Sequence, residues 1–351
     1  MAAITLYSLI YSLVPSSDIR KRQLAFATAC LHIFSPAGLF LSAPYGEATF
    51  AFASFLGCLC YVKAAENRHH TFADAYQLDA CLTIAAGLCF GLATMLRTNG
   101  LLNGIIFAWD VILTLPRLRH ILRIRDSEEI TRLSATFIAG ALIAVGFALP
   151  QAVAYQEYCT AGESRPWCTA LAPSIYSFVQ KEYWNVGFMR YWTSNNIPLF
   201  FLAAPVAFLM IATAVSANRN VDSLYSAVFD QESQQAQTPA TITREKKVFE
   251  HVLPRFAVPQ LVLVLMAVTS FHVQILNRIS SGYVVWYFLL AIWIKREDDA
   301  GAANKVDDKS LTTSVAGLTG LNGVRVEWLV RAMIMYAVVQ GGLYACFMPP
   351  A

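Results

Sequence analysis

The sequence contains two long apolar runs without a charged side chain, SATFIAGALIAVGFALP at residues 134–150 and PLFFLAAPVAFLMIATAVS at residues 198–216. A helix of about 20 apolar residues spans the hydrocarbon core of a bilayer. Continuous apolar runs favour helices over a β-barrel, whose strands alternate apolar and polar residues. Both runs therefore predict membrane-spanning helices.

The composition extends this interpretation to the whole chain. Hydrophobic residues make up 56% of the 351 residues and charged residues only 14%, which excludes a soluble globular protein of this length. The pattern predicts an all-α polytopic membrane protein that forms a single transmembrane domain over residues 1–351, with about ten hydrophobic segments. These segments are 1–14, 23–41, 47–64, 80–96, 101–115, 134–150, 198–216, 257–273, 283–294 and 326–347.

Lysine and arginine residues are distributed unevenly between alternate loops. Of the 26 Lys and Arg residues, 20 lie in the loops 15–22, 63–79, 116–133, 217–256 and 295–325. Because cytosolic loops hold the excess of these residues, the asymmetry places that set in the cytosol and residues 151–197 on the lumenal side. The Gln-rich stretch 231–243 predicts partial disorder in its loop. Sidedness accounts for the positive charge, so we expect no nucleic-acid partner.

The loop 151–197 contains two cysteines and a cluster of aromatic and amide side chains. Cys159 and Cys168 are close enough in sequence to close a small loop, and the non-cytosolic side permits pairing. We expect a disulfide, with two free thiols as the alternative, and no metal site. The cluster consists of Tyr183, Trp184, Asn185, Tyr191, Trp192, Asn195 and Asn196.

Two acidic residues lie at or inside predicted spans. Glu47 begins a segment directly after Pro44 and Gly46, where the positive helix terminus favours its charge. It is either a simple helix cap or a carboxylate that faces a polar cavity, because carboxylates at membrane depth are costly unless they are used. Asp110 pairs either with a neighbouring helix or with Arg117.

The predicted lumenal loops suit a sugar attached to a lipid phosphate. Aromatic rings stack on sugar faces, amides both donate and accept hydrogen bonds, and arginine binds phosphate with a planar fork of donors. Arg97 has the alternative of extending to lipid headgroups. The same side chains would also line the cavity of a transporter or lipid scramblase. The candidate substrate-binding residues are Arg97, Asn99, Gln180, Tyr183, Trp184, Asn185, Trp192, Asn196 and Arg278.

Several stretches resemble the GPI mannosyltransferase 2 family. The most specific are RPWC at 165–168 and IYSFVQKEYWNVGFMRYWTSNNIP at 175–198, which are similar to the signature loop of that family. Further blocks follow the family's order along nearly the whole chain: LSAPYGEATFAFASFLG at 41–57, MLRTNGLLNG at 95–104 and NRISSGYVVWYF at 277–288.

The resemblance implies a multi-pass enzyme of the endoplasmic reticulum membrane with the helical architecture of the glycosyltransferase C superfamily. Such an enzyme moves mannose from dolichyl-phosphate-mannose to the first mannose of a GPI precursor lipid, in α-1,6 linkage and without a cofactor. In yeast-like systems, a small accessory membrane subunit accompanies it. The resemblance also implies a large first lumenal loop that bears an acidic residue, which acts as the general base. Nothing in this chain corresponds to that loop. We therefore expect the base upstream of Met1, with Glu47 as the candidate inside the chain and a catalytically incompetent truncated relative as an alternative.

Overall fold

The structure is a computed structural model that describes residues 1–68, 75–160, 165–171, 173–229, 238–303 and 326–346. These residues form α-helices joined by turns and short 3₁₀ helices, and they contain no strand. The helices are α1 (Ala2–Leu13), α2 (Asp18–Ile33), α3 (Gly38–Ser42), α4 (Glu47–Asn67), α5 (Ala75–Leu96), α6 (Gly104–Thr114), α7 (Leu118–Ile124), α8 (Ser127–Cys159), α9 (Ile175–Glu182), α10 (Ile197–Arg219), α11 (Val221–Val228), α12 (Pro239–Thr269), α13 (Leu276–Ile279), α14 (Val285–Ala303) and α15 (Val326–Cys346).

The protein is a polytopic helical membrane protein. Among the described residues, six helical stretches are long and apolar enough to cross a membrane: α4, α5, Thr98–Ile121 with α6 inside it, α8, Ser194–Arg219 with α10 inside it, and α12. A seventh span exists if Val273–Gly282 and Val285–Glu297, which meet at 76°, form one broken span. We name the end of the bundle that holds Glu47, Arg97 and Arg278 the outer end, and the opposite end the inner end. The loop 151–197 lies at the outer end.

The structure corrects the prediction of ten separate segments. The segment 23–41 is not one helix, because α2 ends at Ile33 and α3 begins only at Gly38, beyond the turn that contains Pro36. The segment 283–294 is the second half of the bent pair, and α1 is short for a span, with 12 residues. The segments 47–64, 80–96, 101–115, 134–150 and 198–216 each fall within one of the six candidate spans, whereas 257–273 runs past the end of its helix at Thr269.

The predicted loops are also more helical than their composition indicated. Helix α12 begins inside the predicted loop 217–256, because Thr238 caps it and Pro239 occupies its first turn. The loop 151–197 begins within α8 and contains α9, and the loop 295–325 begins within α14. Of the stretch 231–243, which was predicted to be disordered, residues 231–237 lie outside the described residues, and residues 239–243 form the start of α12, so the prediction is wrong there.

Helix α14 occupies the centre of the bundle. Every residue from Tyr283 to Trp293 is buried, and α14 packs against α2, α10, α11, α12 and α15. The buried Gln260 of α12 fixes its position, since Gln260 Oε1 accepts the backbone N–H of Trp286 at 3.2 Å. Gln260 Nε2 donates to the Met210 carbonyl of α10 at 2.8 Å. One amide thus satisfies backbone groups of two neighbouring helices that cannot bond to water.

Charged side chains join the helices toward the inner end. Asp110 of α6 accepts a hydrogen bond from Arg255 of α12 at 2.7 Å and one from the Tyr61 hydroxyl of α4 at 2.7 Å. Arg68, which follows α4, lies 3.6 Å from the same carboxylate. Asp110 therefore pairs with neighbouring helices, and the alternative pairing with Arg117 is wrong.

A second carboxylate extends this network. The buried Asp79 of α5 accepts from Arg68 at 3.2 and 3.3 Å and from Arg132 of α8 at 3.1 Å. Charges at this depth are stable only when they are paired, so the network fixes α4, α5, α6, α8 and α12 relative to one another.

Helices α5 and α8 approach each other closely along glycines. A Cβ atom on Gly146 would lie 2.3 Å from the Gly91 carbonyl oxygen, and one on Gly91 would lie 2.7 Å from the Leu142 carbonyl oxygen. A Cβ atom on Gly87 would lie 2.4 Å from the Ala139 Cα atom. Small residues four apart allow helix backbones to touch in membranes, where packing rather than water exclusion drives association.

We predict that Gly146→Ala lowers the thermal unfolding midpoint of the detergent-solubilised protein, because the methyl group forces α5 and α8 apart at a cost of about 1–3 kcal/mol. Gly140→Ala in the same helix is the matched control, since nothing lies within 4 Å of its added Cβ atom. The control should keep or raise the midpoint. Equal midpoints for the two variants would contradict the close packing of these helices.

Candidate active site

The outer end of the bundle contains a buried carboxylate between two arginines. Glu47 is the first residue of α4 and is fully buried. Its Oε1 atom accepts from Arg278 Nε at 2.8 Å and lies 2.7 Å from Arg278 Nη2, and it also accepts from Arg97 Nη2. We name Glu47, Arg97 and Arg278 the ion triad. It joins the start of α4, the residue after α5 and the short helix α13.

Aromatic rings hold one arginine of the ion triad in place. The Arg278 guanidinium lies 4.6 Å from the ring centre of Phe40 and 5.1 Å from that of Tyr45. These rings belong to α3 and to the turn before α4. A desolvated guanidinium is attracted to ring faces, so this arrangement fixes the position of Arg278 in addition to the ion pair.

The ion triad has a surplus positive charge. Two guanidinium groups share one carboxylate, and Arg97 is the more accessible of the two, with 19% of its side chain exposed against 7% for Arg278. Burial lowers the pKa of Arg97 from its ordinary value, the Glu47 charge opposes that shift, and the Arg278 charge adds to it. Arginine remains protonated in proteins, so the site keeps a net positive charge at neutral pH.

Two buried polar atoms of the ion triad have no hydrogen-bond partner among the described residues, Glu47 Oε2 and Arg97 Nε. A buried polar atom without a partner costs free energy that a ligand or water recovers. Together with the surplus charge, the free Arg97 donor indicates a site for an anionic group.

One flank of the ion triad is formed by α9. Gln151 of α8 accepts from the Ser174 hydroxyl at 3.0 Å and from the Tyr176 backbone N–H at 3.2 Å, which positions the start of α9. The Thr98 hydroxyl then donates to the Tyr176 hydroxyl at 3.0 Å, directly beside Arg97. Tyr176 and Gln151 were not predicted as site residues, because neither belongs to the amide and aromatic cluster that follows α9.

The second half of the loop lies on the outer end of α12. The Gly187 backbone N–H donates to the Ser270 carbonyl at 3.2 Å, and the Trp192 indole donates to the Val268 carbonyl at 2.8 Å. His272 Nε2 is 2.7 Å from the carbonyl oxygen of Trp184, and its ring packs against that indole. The same chain segment continues from His272 into α13 and thus to Arg278.

The predicted binding residues fall into two groups. Arg97 and Arg278 meet at Glu47, and the Asn99 carbonyl beside them accepts from the Tyr283 hydroxyl at 3.3 Å. The others belong to the loop, where the Asn196 amide donates to the Tyr191 carbonyl at 2.9 Å and the Gln180 backbone carbonyl accepts from the Val186 N–H at 2.8 Å. Of the predicted binding residues in the loop, the exposed ones are Tyr183 (75%), Trp192 (52%), Trp184 (40%) and Asn185.

The loop is closed by a disulfide between Cys159 and Cys168, whose Cα atoms are 5.7 Å apart. Trp167 beside it is buried, and its ring lies 6.3 Å from that of Tyr155 in α8. The other six cysteines are free. Among the described residues, no group of three or more His, Cys, Asp or Glu side chains could hold a metal ion.

The whole chain, residues 1–351, matches the family described as Mannosyltransferase (PIG-V). The chain belongs to the PIG-V mannosyltransferase family. It is 37% identical to a protein of Aspergillus fumigatus named GPI mannosyltransferase 2, over 100% of this chain and 73% of that protein. A protein of the same name from Aspergillus oryzae is also 37% identical, over 100% of this chain and 71% of its own length.

A more distant relative of the same name, from Schizosaccharomyces pombe, is 28% identical over 99% of this chain and 61% of its own length. No solved structure matches the chain. The family match covers the stretches that form both the ion triad and the loop, so this PIG-V family member has both groups within the matched region.

We predict that Glu47→Gln lowers the thermal unfolding midpoint strongly, because it leaves two buried guanidinium groups without their carboxylate at a cost of about 3–5 kcal/mol. Glu182→Gln, at an exposed position in α9, is the matched control and should leave the midpoint unchanged. Removing one cation as well, in Glu47→Gln with Arg97→Gln, should recover part of the loss. A midpoint of Glu47→Gln equal to that of the control would contradict the pairing.

Proposed function

We propose that this PIG-V family member transfers mannose from dolichyl-phosphate-mannose to the first mannose of a GPI precursor lipid, in α-1,6 linkage, at the lumenal face of the endoplasmic reticulum membrane. The relatives named GPI mannosyltransferase 2 support the reaction. The observation that supports the donor class best is the buried ion triad with its surplus positive charge.

The chemistry of a lipid-phosphate donor requires a positive site. The acceptor hydroxyl oxygen forms a bond to the anomeric carbon of mannose, and the bond from that carbon to the phosphate oxygen breaks. The electron pair of the broken bond stays on the phosphate, whose negative charge increases, and the hydroxyl proton passes to a base. Arg97 and Arg278 suit the stabilisation of that developing charge, because donors fixed before the reaction need no reorganisation.

Glu47 fits a positioning role better than that of the base. Its Oε1 atom accepts hydrogen bonds from both arginines, and its side chain is fully buried. A general base needs hydrogen-bond contact with the hydroxyl proton that it removes, which this burial prevents in the described arrangement. We propose that Glu47 holds the two guanidinium groups at the spacing that the phosphate requires.

An apolar cavity of about 520 Å³ suits the lipid part of a donor. It lies between α1, α2, α3 and α4, and its lining includes Ala48 and Thr49, the two residues after Glu47. A prenyl chain in this cavity would place its phosphate at the same end of α4 as the ion triad. On the loop, the exposed rings of Tyr183, Trp184 and Trp192 suit stacking on sugar faces.

A lipid transporter or scramblase is the second candidate, because broken helices form substrate sites in transporters and this structure has the bent pair Val273–Gly282 and Val285–Glu297. Covalent transfer of labelled mannose to the acceptor separates the two candidates, since a transporter leaves its lipid unchanged. The accessory membrane subunit also belongs to this proposal, and co-purification of a small membrane protein with the full-length enzyme tests it.

We predict that Arg97→Gln lowers the transfer of labelled mannose from dolichyl-phosphate-mannose to a monomannosyl GPI lipid by about 10- to 100-fold, because a charge-assisted hydrogen bond to phosphate is lost. Arg97→Lys keeps the charge and should recover part of the activity. The matched control is Arg190→Gln, at an exposed position of the loop. Equal activity of Arg97→Gln and the control, at equal protein levels in membranes, would remove the ion triad from the donor site.

We predict that Trp184→Ala raises the KM for a sugar substrate more than it lowers the unfolding midpoint, since the ring is 40% exposed.

We predict a separate effect for Asn185, whose φ is 49°. The substitution Asn185→Ala removes the amide and also strains the backbone. Asn185→Gly removes the amide without that strain. Impaired transfer by both Asn185 variants would assign the effect to the amide, and normal transfer by Asn185→Gly and Trp184→Ala would exclude these residues from the site.

A further inference from the structure

Residues 116–125, with the sequence PRLRHILRIR, contain four arginines and one histidine and no acidic residue. We name them the arginine segment. It directly follows α6 and consists of the end of a 3₁₀ helix, Leu115–Arg117, and of α7. The segment ends at Arg125, whose φ of 51° turns the chain into α8.

The arginine side chains of the arginine segment lie on the surface of the protein. Arg117, Arg119, Arg123 and Arg125 are exposed, whereas Ile121 is buried against the protein. Leu115, which directly precedes the segment, and Ile124 near its end are exposed as well, with 54% and 55% of their surface accessible. A short segment at the end of a span that combines exposed cations with exposed apolar side chains is typical of a membrane interface.

The neighbouring acidic side chains are committed to other groups. The Asp126 carboxylate accepts the backbone N–H groups of Glu128 and Glu129 as the cap of α8. Glu128 and Glu129 in turn pair with Arg132, at 2.7 and 3.4 Å. Within the described parts of the chain, none of the four arginines of the arginine segment forms an ion pair.

Several other cations near the inner end have an acidic partner, which the four arginines of the arginine segment lack among the described residues. Lys63 pairs with Glu66 at 2.9 Å, and Lys21 with Glu245 at 3.3 Å. Further pairs join Arg20 to Asp299, Lys246 to Asp222 and Lys295 to Asp299. Membrane orientation depends on Lys and Arg in cytosolic loops, whether or not these residues have acidic partners. The concentration of unpaired guanidinium groups therefore asks for a separate explanation.

We propose that the arginine segment is a binding surface for the headgroups of anionic phospholipids in the adjacent leaflet. Guanidinium groups bind phosphate oxygens with two parallel hydrogen bonds, and clusters of four to eight basic residues next to a span recognise anionic lipids. The exposed Leu115 and Ile124 would lie at the level of the acyl chains. This surface is independent of the ion triad and of sugar transfer.

The test uses the full-length chain, extracted in mild detergent from membranes that contain equal amounts of phosphatidylserine and phosphatidylcholine. The lipid retained per protein is measured by mass spectrometry. Wild type should retain phosphatidylserine over phosphatidylcholine, and Arg117→Gln/Arg119→Gln/Arg123→Gln should reduce that preference about tenfold. The control Arg165→Gln/Lys181→Gln/Arg190→Gln removes the same charge from exposed positions of the outer loop and should keep the preference.

Two further measurements distinguish a loss of lipid binding from misfolding of the triple variant. Lysine at the same three positions should retain most of the preference, and a wash of the wild type in about 1 M salt should remove it, because screening weakens exposed charge contacts. Equal lipid preference in wild type and the glutamine triple variant would overturn the proposal. Equal retention of both lipids by wild type would also overturn it, and this is the result expected if the segment binds a protein instead of lipid.

Discussion

The pairing of Glu47 with Arg97 and Arg278 is the interaction on which the outer end of this protein depends. A fully buried carboxylate at the start of a membrane helix is stable only with cations beside it, and here it has two. The three residues come from parts of the chain that are far apart in sequence, so their pairing fixes α4, the turn after α5 and α13 relative to one another. Glu47 neutralises only one of the two guanidinium groups, so the ion triad keeps a net positive charge.

The inner end solves the same physical problem differently. There, Asp79 and Asp110 each bind more than one basic side chain, and the network joins five helices. Its role is explained by helix packing alone, together with the glycine contact between α5 and α8. The surplus positive charge of the ion triad at the outer end agrees with an enzyme whose substrates approach from one side of the membrane.

Much of the fold could be predicted from hydrophobicity, because runs such as 134–150 and 198–216 have only one stable structure in a bilayer. The break in 23–41 follows from Pro36, which cannot continue a helix. The bend before α14 could not be predicted, since it depends on packing around a buried central helix. The start of α12 was predicted at residue 257 instead of Pro239, because the charged residues from Arg244 to Lys247 interrupt the apolar pattern of its first turns. In the site, Arg97 and Arg278 were predictable as rare cations on their side. Their meeting at Glu47 was not, because 50 and 231 residues separate them from it along the chain.

The proposed reaction requires that the ion triad and the loop 151–197 face the lumen. The chain has no Asn-x-Ser/Thr sequence, so glycan acceptors can be introduced without background. The most direct measurement is glycosylation of two full-length variants, one with an acceptor inserted after Ala170 at the outer end and one with an acceptor inserted after Phe229 at the inner end. The account predicts a glycan, removable by endoglycosidase, on the first variant alone. A glycan on the second variant and none on the first would place the site in the cytosol and contradict it.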